Sequence, residues 1–456
     1  MSKLPRFIAI AIIWFGCSFA VAQTGDCYAV LAGCLESSFG NAGKVLTAFS
    51  GDTRAAGWGL AMQIIGSEQR AVTGGTYRTL INQKLQTYNY TWYVARYHQD
   101  GSIDTSFGPN GNGITTNSNN GFLNTIAIQP ADNKIVIGGS ANNKNGISIF
   151  TVARYTVAGL LDTSFGNGGM VQVQVSISKN KNSYCSSAAL AIVLQPDGKV
   201  VGAGICSNVP FVIRLNSDGA LDNTFANNGQ FVYSGPVWSA GGKMGVALES
   251  VAGELRIVVA GAASNTSGSE SNTVLRLTAN GSLDKSFRGS GVIQTPFLTD
   301  GINNDVAVDS NARIVVAGAA WPHQGGPLSL LVARYNIDGT LDTTFNQTGY
   351  FITTGLLGHC SASALIIQSD GRILMAGNDE DATTSPVKNY FAVWRFNSDG
   401  TPDVSFGIGG EVTTGFTSDQ MQAANSIAQQ SDGKFVVGGM VLVNSVGELA
   451  LARYWQ

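Results

Sequence analysis

Residues 161–171 read LDTSFGNGGMV, and close copies of this stretch recur along the chain. Residues 102–114 read SIDTSFGPNGNGI, residues 221–232 read LDNTFANNGQFV, and residues 341–352 read LDTTFNQTGYFI. Self-similarity at a regular period is the signature of a repeat architecture, in which several short units pack into one body. The 456 residues are therefore interpreted as one large repeat domain and not as two or three ordinary domains.

The repeat is counted from its aromatic residue and from an arginine eleven positions before it. The aromatic falls at Phe39, Phe107, Phe165, Phe225, Phe287, Phe345 and Phe406, with spacings of 58 to 68 residues. The arginine precedes the last six, at Arg96, Arg154, Arg214, Arg276, Arg334 and Arg395. Phe39 has no arginine before it, and Arg453 has no phenylalanine after it. A ring of seven units, closed by the N- and C-terminal halves of one repeat, would leave these two unmatched halves.

A second sequence pattern also occurs seven times. Lys or Arg is followed five residues later by Gly at Arg70/Gly75, Lys134/Gly139, Lys199/Gly204, Arg256/Gly261, Arg313/Gly318, Arg372/Gly377 and Lys434/Gly439. Short runs of apolar and β-branched residues flank each pair, and about four such runs fall in each unit. The pattern predicts an all-β fold, a seven-bladed β-propeller with about four antiparallel strands per blade. A linear solenoid is the alternative, but it would need atypical polar units at both ends.

The recurring pattern R-[YLF]-x-x-[DN]-G-x-[LI]-D-x-[ST]-F-G resembles the repeat of the delta-60 repeat family of bacterial proteins, over roughly residues 35–456. Glu36 replaces the aspartate in the first unit, Ala158 replaces the turn residue in the third, and Pro402 replaces the usual leucine. The resemblance implies a bacterial β-propeller that is exported. It implies no particular activity.

The acidic residue of the motif, eight positions after the arginine, is expected to pair with it. The acids are Glu36, Asp104, Asp162, Asp222, Asp284, Asp342 and Asp403, and Glu36 would pair with Arg453 to fasten the ring. Asp218-Gly219 is typical of a tight turn. Asp222 is expected to accept the amides of Thr224 and Phe225 as an Asx-type cap. Each motif phenylalanine is expected to fill the space between neighbouring blades.

Calcium binding is a competing interpretation of the same loops. Oxygen-bearing residues alternate in Asn216/Asp218/Asp222, with similar sets at Asn336/Asp338/Asp342 and Asn397/Asp399/Asp403. Calcium takes about six to eight oxygen ligands, often from several carboxylates. Each loop offers only two carboxylates, and the first is Asn280 or Ala158 in other units. The turn interpretation is therefore preferred, and no metal or cofactor is predicted.

The N-terminus has the pattern of a secretory signal peptide. Lys3 and Arg6 precede an apolar run over residues 7–19, and residues 20–22 read AVA, a small-residue cleavage site. We expect a signal peptide at 1–22, a short lead-in at 23–34 and the propeller at 35–456. An uncleaved anchor is the alternative, although the run is shorter than the ~20 residues that span a bilayer. The mature protein is expected to be a periplasmic, cell-surface or secreted monomer without a membrane span.

Composition excludes one class of partner, and the cysteines fit export. The net charge of −3 gives no basic surface for nucleic acid. Five cysteines follow the cleavage site, and exported chains form disulfides. Cys185 and Cys206 flank a predicted hairpin and are expected to pair. Cys27 and Cys34 are expected to close a small loop, and Cys360 is left over. Unpaired buried thiols remain the alternative.

The lengths of the connections between strands distinguish the two ends of the predicted ring. The short PDGK-type hairpins and the SFG segment, which is expected to link one blade to the next, vary little between units. The other connections vary widely, and they would emerge together at the opposite end, the variable face. Binding residues concentrate on loops held by a rigid scaffold. The candidates there are Tyr88, Tyr90, Tyr184, Trp238, Trp321, His323, His359 and Tyr390. Each could instead merely cover the end of a blade.

The sequence favours a non-catalytic exported scaffold that binds a glycan, a peptide or a protein through the variable face. Aromatic residues among Asn and Ser suit such ligands. A propeller hydrolase or lyase is the alternative, using carboxylates such as Asp379, Glu380 and Asp381. The chain has only three histidines, His98, His323 and His359, and none has the spacing of a metal motif. His98 follows a predicted strand and is expected to be structural.

Overall fold

A computed structural model describes residues 31–49, 53–85, 87–177, 185–238, 243–264, 269–322, 326–417 and 421–456. The signal peptide, Cys27, Tyr184 and His323 lie outside these ranges. Within them, the chain forms 28 β-strands and no helix. None of the described residues therefore forms a helix with the length and hydropathy of a membrane span.

The strands of the described ranges fall into seven sets of four. The first strands of the sets are β2 (Thr53–Ile65), β6 (Leu123–Ile128), β10 (Ala191–Leu194), β14 (Gly245–Val251), β18 (Asp300–Val308), β22 (Gly358–Ile367) and β26 (Gln422–Gln429). The second strands are β3 (Glu68–Asn82), β7 (Ile135–Asn142), β11 (Val200–Cys206), β15 (Glu254–Ser264), β19 (Ile314–Trp321), β23 (Ile373–Asp381) and β27 (Phe435–Val443). The third strands are β4 (Thr87–Tyr97), β8 (Ser148–Tyr155), β12 (Val209–Leu215), β16 (Glu270–Thr278), β20 (Ser329–Tyr335), β24 (Lys388–Phe396) and β28 (Val446–Tyr454). The fourth strands are β5 (Ile114–Asn117), β9 (Met170–Val173), β13 (Gln230–Val232), β17 (Val292–Thr295), β21 (Tyr350–Thr353), β25 (Glu411–Thr414) and β1 (Lys44–Thr47).

Five sets are separate four-stranded antiparallel sheets, and the other two share an eight-stranded sheet. In that sheet, β26–β28 and β2–β5 meet through a single parallel pair, Arg54 beside Gly447. The N-terminal strand β1 lies antiparallel to the C-terminal strand β28, with Lys44 opposite Ala452. The fold is thus an all-β, propeller-like assembly of four-stranded sheets.

The SFG segment has a different position from the one that its sequence suggested. It connects the third and fourth strands of one sheet, as between β12 and β13, where Ile213 lies opposite Gln230. The prediction that it links one blade to the next is therefore wrong. A short fourth strand follows the turn and hydrogen-bonds back to the third strand. The spacing of apolar runs does not show whether the strand after a turn belongs to the same sheet or to the next one. The sorting of loops into two ends is unchanged, because the SFG segment and the PDGK hairpin still emerge together.

Seven hydrophobic clusters occupy the spaces between neighbouring sheets, and each contains one motif phenylalanine. Phe225, for example, packs with Val212 of its own sheet and with Ile257 of the next. The ring is fully buried, as are its six equivalents. Burying an aromatic side chain is a large apolar contribution, so the repeated phenylalanine holds adjacent sheets together.

The motif arginine crosses the same interface by hydrogen bonding. In one unit, Arg214 donates from Nε to Asp222 Oδ2 at 2.7 Å and from an Nη to the Ala279 carbonyl of the next sheet at 2.5 Å. The guanidinium carbon lies 4.6 Å from the centroid of the Phe225 ring, a cation–π arrangement. Lys199, from the second sequence signature, reaches the same carboxylate at 3.3 Å. Both repeated signatures therefore converge on one buried aspartate.

That aspartate also caps the turn that follows it. Asp222 Oδ1 accepts the backbone amide of Thr224 at 3.0 Å and its hydroxyl at 2.7 Å. The amide of Phe225 donates to the backbone carbonyl of Asp222 and not to its carboxylate, which differs from the expected cap. His98 belongs to an equivalent cluster, with Nδ1 3.2 Å from Glu68 and Nε2 3.6 Å from Asp104.

The seventh copy of the motif is assembled from the two ends of the described chain. Arg453 donates to Glu36, Ser38 donates to the same carboxylate, and the guanidinium carbon of Arg453 lies 5.0 Å from the Phe39 ring. Burial raises the pKa of Glu36, but the hydrogen bonds from Arg453 and Ser38 outweigh it and leave that pKa below its ordinary value.

The motif carboxylates should make the stability of the fold dependent on acid pH. Burial raises the pKa of Asp104, yet hydrogen bonds from Ser106 and Arg96 lower it to about 2. A folded-state pKa below the unfolded value of about 3.9 stabilises the fold above pH ~4, and this contribution is lost as pH falls towards about 2. We expect Asp104→Asn to lower the free energy of unfolding by about 3 kcal/mol or more at pH 7, because Arg96 is left buried without its partner. Urea denaturation at pH 7, 4 and 2 measures this change.

The matched control is Glu254→Gln, which removes a carboxylate whose side chain is 71% exposed and which pairs with Arg256. A surface ion pair contributes at most about 1 kcal/mol, so this variant should follow the wild-type curve closely. An Asp104→Asn protein that loses as much stability between pH 4 and pH 2 as the wild type does would contradict the role of this carboxylate.

Candidate functional site

In six of the seven described sets, the repeated glycine of the second strand is required because a backbone carbonyl approaches it closely. A β-bulge in β22 between Ala362 and Ala364 directs a backbone carbonyl towards the neighbouring strand. A Cβ atom on Gly377 would lie 1.9 Å from the carbonyl oxygen of Ser361. Only glycine leaves room for this close approach of two backbones. The same strand irregularity occurs in β2, β6, β18 and β26.

The seven first strands, five of them with this bulge, surround a cavity of about 420 Å³ to which all seven contribute. The first strands contact one another in chain order, and β26 returns to contact β2. The residues at the bulge position, or directly before β10 and β14 at the equivalent place, are Trp58, Asn124, Leu190, Met244, Asn304, Ser363 and Asn425. Because they occupy the same place in seven similar strands, they face one shared space. We call this space the central cavity.

Three asparagines at the bulge position bridge neighbouring first strands. Asn124 donates from Nδ2 to the Ala189 carbonyl at 3.0 Å. Asn304 donates to the Ala362 carbonyl at 2.7 Å, and Asn425 donates to the Gly57 carbonyl at 2.8 Å. In the described part of the chain, no protein donor pairs with their three Oδ1 atoms. These oxygens remain available as acceptors.

A lysine and an aspartate also line the central cavity. Lys243 lies just before β14, and its Nζ donates to the carbonyl of Asn425 in β26 at 2.8 Å. The same Nζ lies 5.6 Å from the centroid of the Trp58 ring. The Asp305 carboxylate accepts the amides of Val306 at 2.8 Å and of Leu365 at 2.9 Å. Each side chain thus has a fixed anchor on the backbone.

Burial shifts both pKa values towards neutrality. Burial lowers the pKa of Lys243 to about 8, although the attraction of Asp305 opposes that change. Burial raises the pKa of Asp305 to about 6, against the hydrogen bonds from Leu365 and Val306 and the charge of Lys243. Near pH 7 the cavity holds one ammonium and one carboxylate. Ionisable groups with shifted pKa values in a cavity mark candidate functional sites.

The predicted residues of the variable face are dispersed and lie outside the central cavity. Tyr88 lies near the start of β4, with its ring 4.0 Å from the guanidinium of Arg78, and Tyr90 packs against Phe122 at 4.8 Å. Trp321 ends β19 and His359 lies near the start of β22, opposite Glu380. All four candidates are half-buried at the ends of strands.

Trp238 is a correction to the sequence-based assignment. Only 1% of its surface is exposed, and its ring would clash with a Cβ atom on Gly261 at 2.6 Å. The indole therefore fills the space beside this glycine that a backbone carbonyl occupies in the other sets. Trp238 packs inside the protein beside the end of β15, and it is not available to a ligand.

The hairpin between β3 and β4 carries an exposed apolar group that the sequence analysis did not select. Ile81 and Leu85 are each 68% exposed, and Phe122 on the neighbouring loop is 46% exposed. Tyr88 and Tyr90 stand beside them on the same hairpin. We call these five residues the hairpin patch. It lies on the variable face, where the loops differ most between units.

The carboxylates proposed for an enzyme do not converge on the central cavity. Asp379 is fully buried and accepts the amide of Leu357 at 2.8 Å. Burial and the neighbouring Asp379 raise the pKa of Glu411 above its ordinary value. Glu380 accepts from Asn389, and Asp381 caps its own turn at Thr383. Asp379, Glu380 and Asp381 therefore each bond to a different partner, and they do not form one cluster.

The loops considered for calcium use their carboxylates within the protein. Asp338 accepts both the amide and the hydroxyl of Thr340, at 2.9 and 2.7 Å, and Asp399 does the same with Thr401. No group of three or more metal-ligating side chains occurs among the described residues.

The structure joins Cys185 to Cys206 through a disulfide with 5.6 Å between the Cα atoms. Cys34 is also disulfide-bonded. The partner expected for it, Cys27, lies outside the described residues. Cys360 is a buried free thiol.

Sequence reasoning missed the residues of the central cavity. Lys243 and Asp305 are far apart in sequence and match no known motif. An alignment of the seven first strands would have shown one sign of them, because asparagine recurs at the same place in three strands, as Asn124, Asn304 and Asn425.

Six segments of the chain match a family model described as “Domain of unknown function (DUF5122) beta-propeller”, over residues 86–107, 131–165, 195–225, 256–287, 311–345 and 368–406. Each matched segment ends at a motif phenylalanine. The chain is thus similar to a β-propeller family of unknown function over six of its repeats. No curated protein matches the chain.

Solved structures that resemble the chain are also propellers or enzymes of distant sequence. The β-propeller domain of the Trilobed protease from Pyrococcus furiosus has 10% identity and a TM-score of 0.41, over 87% of this chain and 93% of that one. A glucose dehydrogenase has 11% identity and a TM-score of 0.38, over 90% and 99% of the two chains. The aldose sugar dehydrogenase from Streptomyces coelicolor has 12% identity and a TM-score of 0.34, over 90% and 98%.

The pKa of Lys243 provides a test of the geometry of the central cavity. In ¹³C-dimethyl-lysine NMR, we expect one resonance to titrate near pH 8. An ordinary lysine titrates near 10.4. Lys243→Arg should remove this resonance and so assign it. Asp305→Asn should lower the midpoint further, because the carboxylate charge that favours the ammonium is lost. A Lys243 resonance that titrates with the other lysines would contradict the buried position.

Proposed function

We propose that the protein is an exported, non-catalytic β-propeller that binds an envelope or extracellular ligand through its variable face. The hairpin patch is the observation that carries this proposal. Four large apolar or aromatic residues lie on one hairpin of the end where the loops vary, and Phe122 of a neighbouring loop packs against one of them, Tyr90. Contiguous exposed apolar surface rimmed by polar residues is typical of an interaction site. A glycan or an extended peptide is the ligand class that suits tyrosines among Asn and Thr side chains.

Export is supported by the N-terminal sequence and by the disulfide between Cys185 and Cys206. Structural disulfides persist in oxidising compartments such as the periplasm and the extracellular medium. The mature chain would begin at Gln23 and act in the periplasm, on the cell surface or in the medium.

The scaffold is proposed to be a ring of seven blades. Seven sets of four strands, seven buried phenylalanines and the return of β26 to β2 support this count. The pairing of β1 with β28 and the contact between Glu36 and Arg453 would close the ring. Closure removes sheet edges that would otherwise be open to association.

The closure of the ring is tested by Glu36→Ala in hydrogen–deuterium exchange. Loss of the partner of Arg453 should increase exchange in β1 and β28 by at least about tenfold, because an unpaired buried charge weakens the local structure. Asp284→Ala is the matched control, since it removes the equivalent acid inside the chain, where Arg276 keeps a second acid, Glu249, at 3.1 Å. Its effect should stay in its own sheet. Unchanged exchange of β1 and β28 in Glu36→Ala would argue against closure by this pair.

The binding surface is tested with protein that begins at Gln23, on arrays of envelope glycans and peptides. We expect one ligand class to bind, and we expect the double change Tyr88→Ala and Tyr90→Ala to weaken that binding by about tenfold or more, since aromatic anchors carry much of the energy of an interface. Val404→Ala is the control, because Val404 is 79% exposed on an SFG segment at the opposite end. Equal binding by both variants would reject the hairpin patch as the binding surface.

Catalysis is the second candidate, and one observation favours it. Lys243 and Asp305 face the same cavity, with pKa values shifted towards neutrality. Product formation from ligands incubated with the wild type, and its absence with Lys243→Met, would replace the binding proposal with an enzymatic one.

A further inference from the structure

We propose that the central cavity is a second binding site, separate from the variable face, and that it takes a small neutral saccharide of one or two sugar units. The cavity is a shared space between all seven first strands, and its polar groups are distributed around the circumference. Its volume of about 420 Å³ falls within the range of about 300–1,000 Å³ that small-molecule sites occupy.

The charges in the cavity favour a ligand without net charge. Lys243 and Asp305 contribute one positive and one negative charge, so the two cancel when both are ionised. A ligand with a net charge would lose its hydration and find no net opposite charge in return, which is costly in a poorly solvated space. Anionic sugars, amino sugars and polyamines are therefore matched less well than neutral molecules.

The balance of donors and acceptors favours a ligand that is rich in hydroxyl groups. The Oδ1 atoms of Asn124, Asn304 and Asn425 have no protein donor in the described part of the chain, and the carboxylate of Asp305 accepts only one backbone amide on each oxygen. Lys243 is the one charged donor among the described lining residues. A ligand must therefore bring several donors, and hydroxyl groups bring them without charge.

The arrangement of the acceptors distinguishes a saccharide from a zwitterionic amino acid. An amino acid has two charged groups, and it would be satisfied by Lys243 and Asp305 alone. The three asparagine oxygens belong to three different first strands around the cavity, so a ligand needs polar groups on several sides to use them. A pyranose has hydroxyl groups around its whole ring. Its C–H faces would find apolar surface on Trp58 and Met244, which also line the cavity.

The experiment is isothermal titration of protein that begins at Gln23 with neutral monosaccharides and disaccharides. Glucuronate, glucosamine, spermidine and glycine are titrated in parallel as charged or zwitterionic probes. We expect at least one neutral saccharide to bind with one site per chain, and we expect each charged probe to bind at least about tenfold more weakly. Tighter binding of a charged or zwitterionic probe would overturn the proposal, and so would the absence of binding by every neutral saccharide at millimolar concentration.

Two variants locate the site. Asp305→Asn keeps the size of the side chain but replaces one acceptor oxygen by a donor, and it should weaken saccharide binding by about tenfold. Ser363→Phe fills the cavity with a larger side chain and should abolish binding without removing an acceptor. If Asp305→Asn does not fold, Ser363→Phe decides the question. Saccharide binding that survives in Ser363→Phe would place the ligand elsewhere and overturn the proposal.

Two controls separate this site from the variable face and from general effects of charge. Asp432→Asn makes the same chemical change on an exposed hairpin, with 36% of the side chain exposed, and it should leave saccharide binding unchanged. The double change Tyr88→Ala and Tyr90→Ala distinguishes the two sites, because it alters the hairpin patch and no residue that lines the central cavity. A loss of saccharide binding in the tyrosine variant would assign the saccharide to the hairpin patch and not to the central cavity.

Discussion

The structure depends on a buried arginine that bonds to two sheets at once. Arg214 holds Asp222 within its own sheet and the carbonyl of Ala279 in the next, while its guanidinium covers Phe225. Taking a guanidinium and a carboxylate out of water is costly, and only a complete set of partners offsets that cost. The arginine is therefore satisfied only when the neighbouring sheet is in place. This requirement couples each sheet to its neighbour and fixes the distance between them.

This coupling explains how the ends of the chain are held. Glu36 and Arg453 are far apart in sequence, yet they reproduce the contact that every other unit makes within itself. The copy is imperfect one sheet earlier. Arg395 Nη1 has no hydrogen-bond partner in the described part of the chain, whereas the equivalent atom of Arg214 donates to Ala279. Among the described residues, the hydrogen bond from the motif arginine to the next sheet is thus missing at this one interface.

The repeated motif residues between the sheets allow the residues of the loops and of the central cavity to differ from unit to unit. The motif residues hold the sheets, so substitutions at the bulge position or on the variable loops do not disturb the buried pairs. The bulge position shows this freedom, since it is occupied by Trp58, Leu190 and Met244 as well as by three asparagines. Functional groups can therefore be placed on a rigid frame at low cost in stability.

The sequence by itself determined the all-β class, the period and the repeated ion pairs, because each depends on contacts that repeat at a fixed spacing. It left open whether Cys185 and Cys206 pair, and the structure joins them. It did not determine that the SFG segment stays within one sheet, since the sequence of the short strand after this segment does not show whether the strand joins the same sheet or the next one. Nor did it distinguish the buried Trp238 from an exposed one. Only the tertiary structure decided that Lys243 and Asp305 share a cavity. They come from different sheets, and their proximity follows from the curvature of the whole assembly, which no local pattern of residues records.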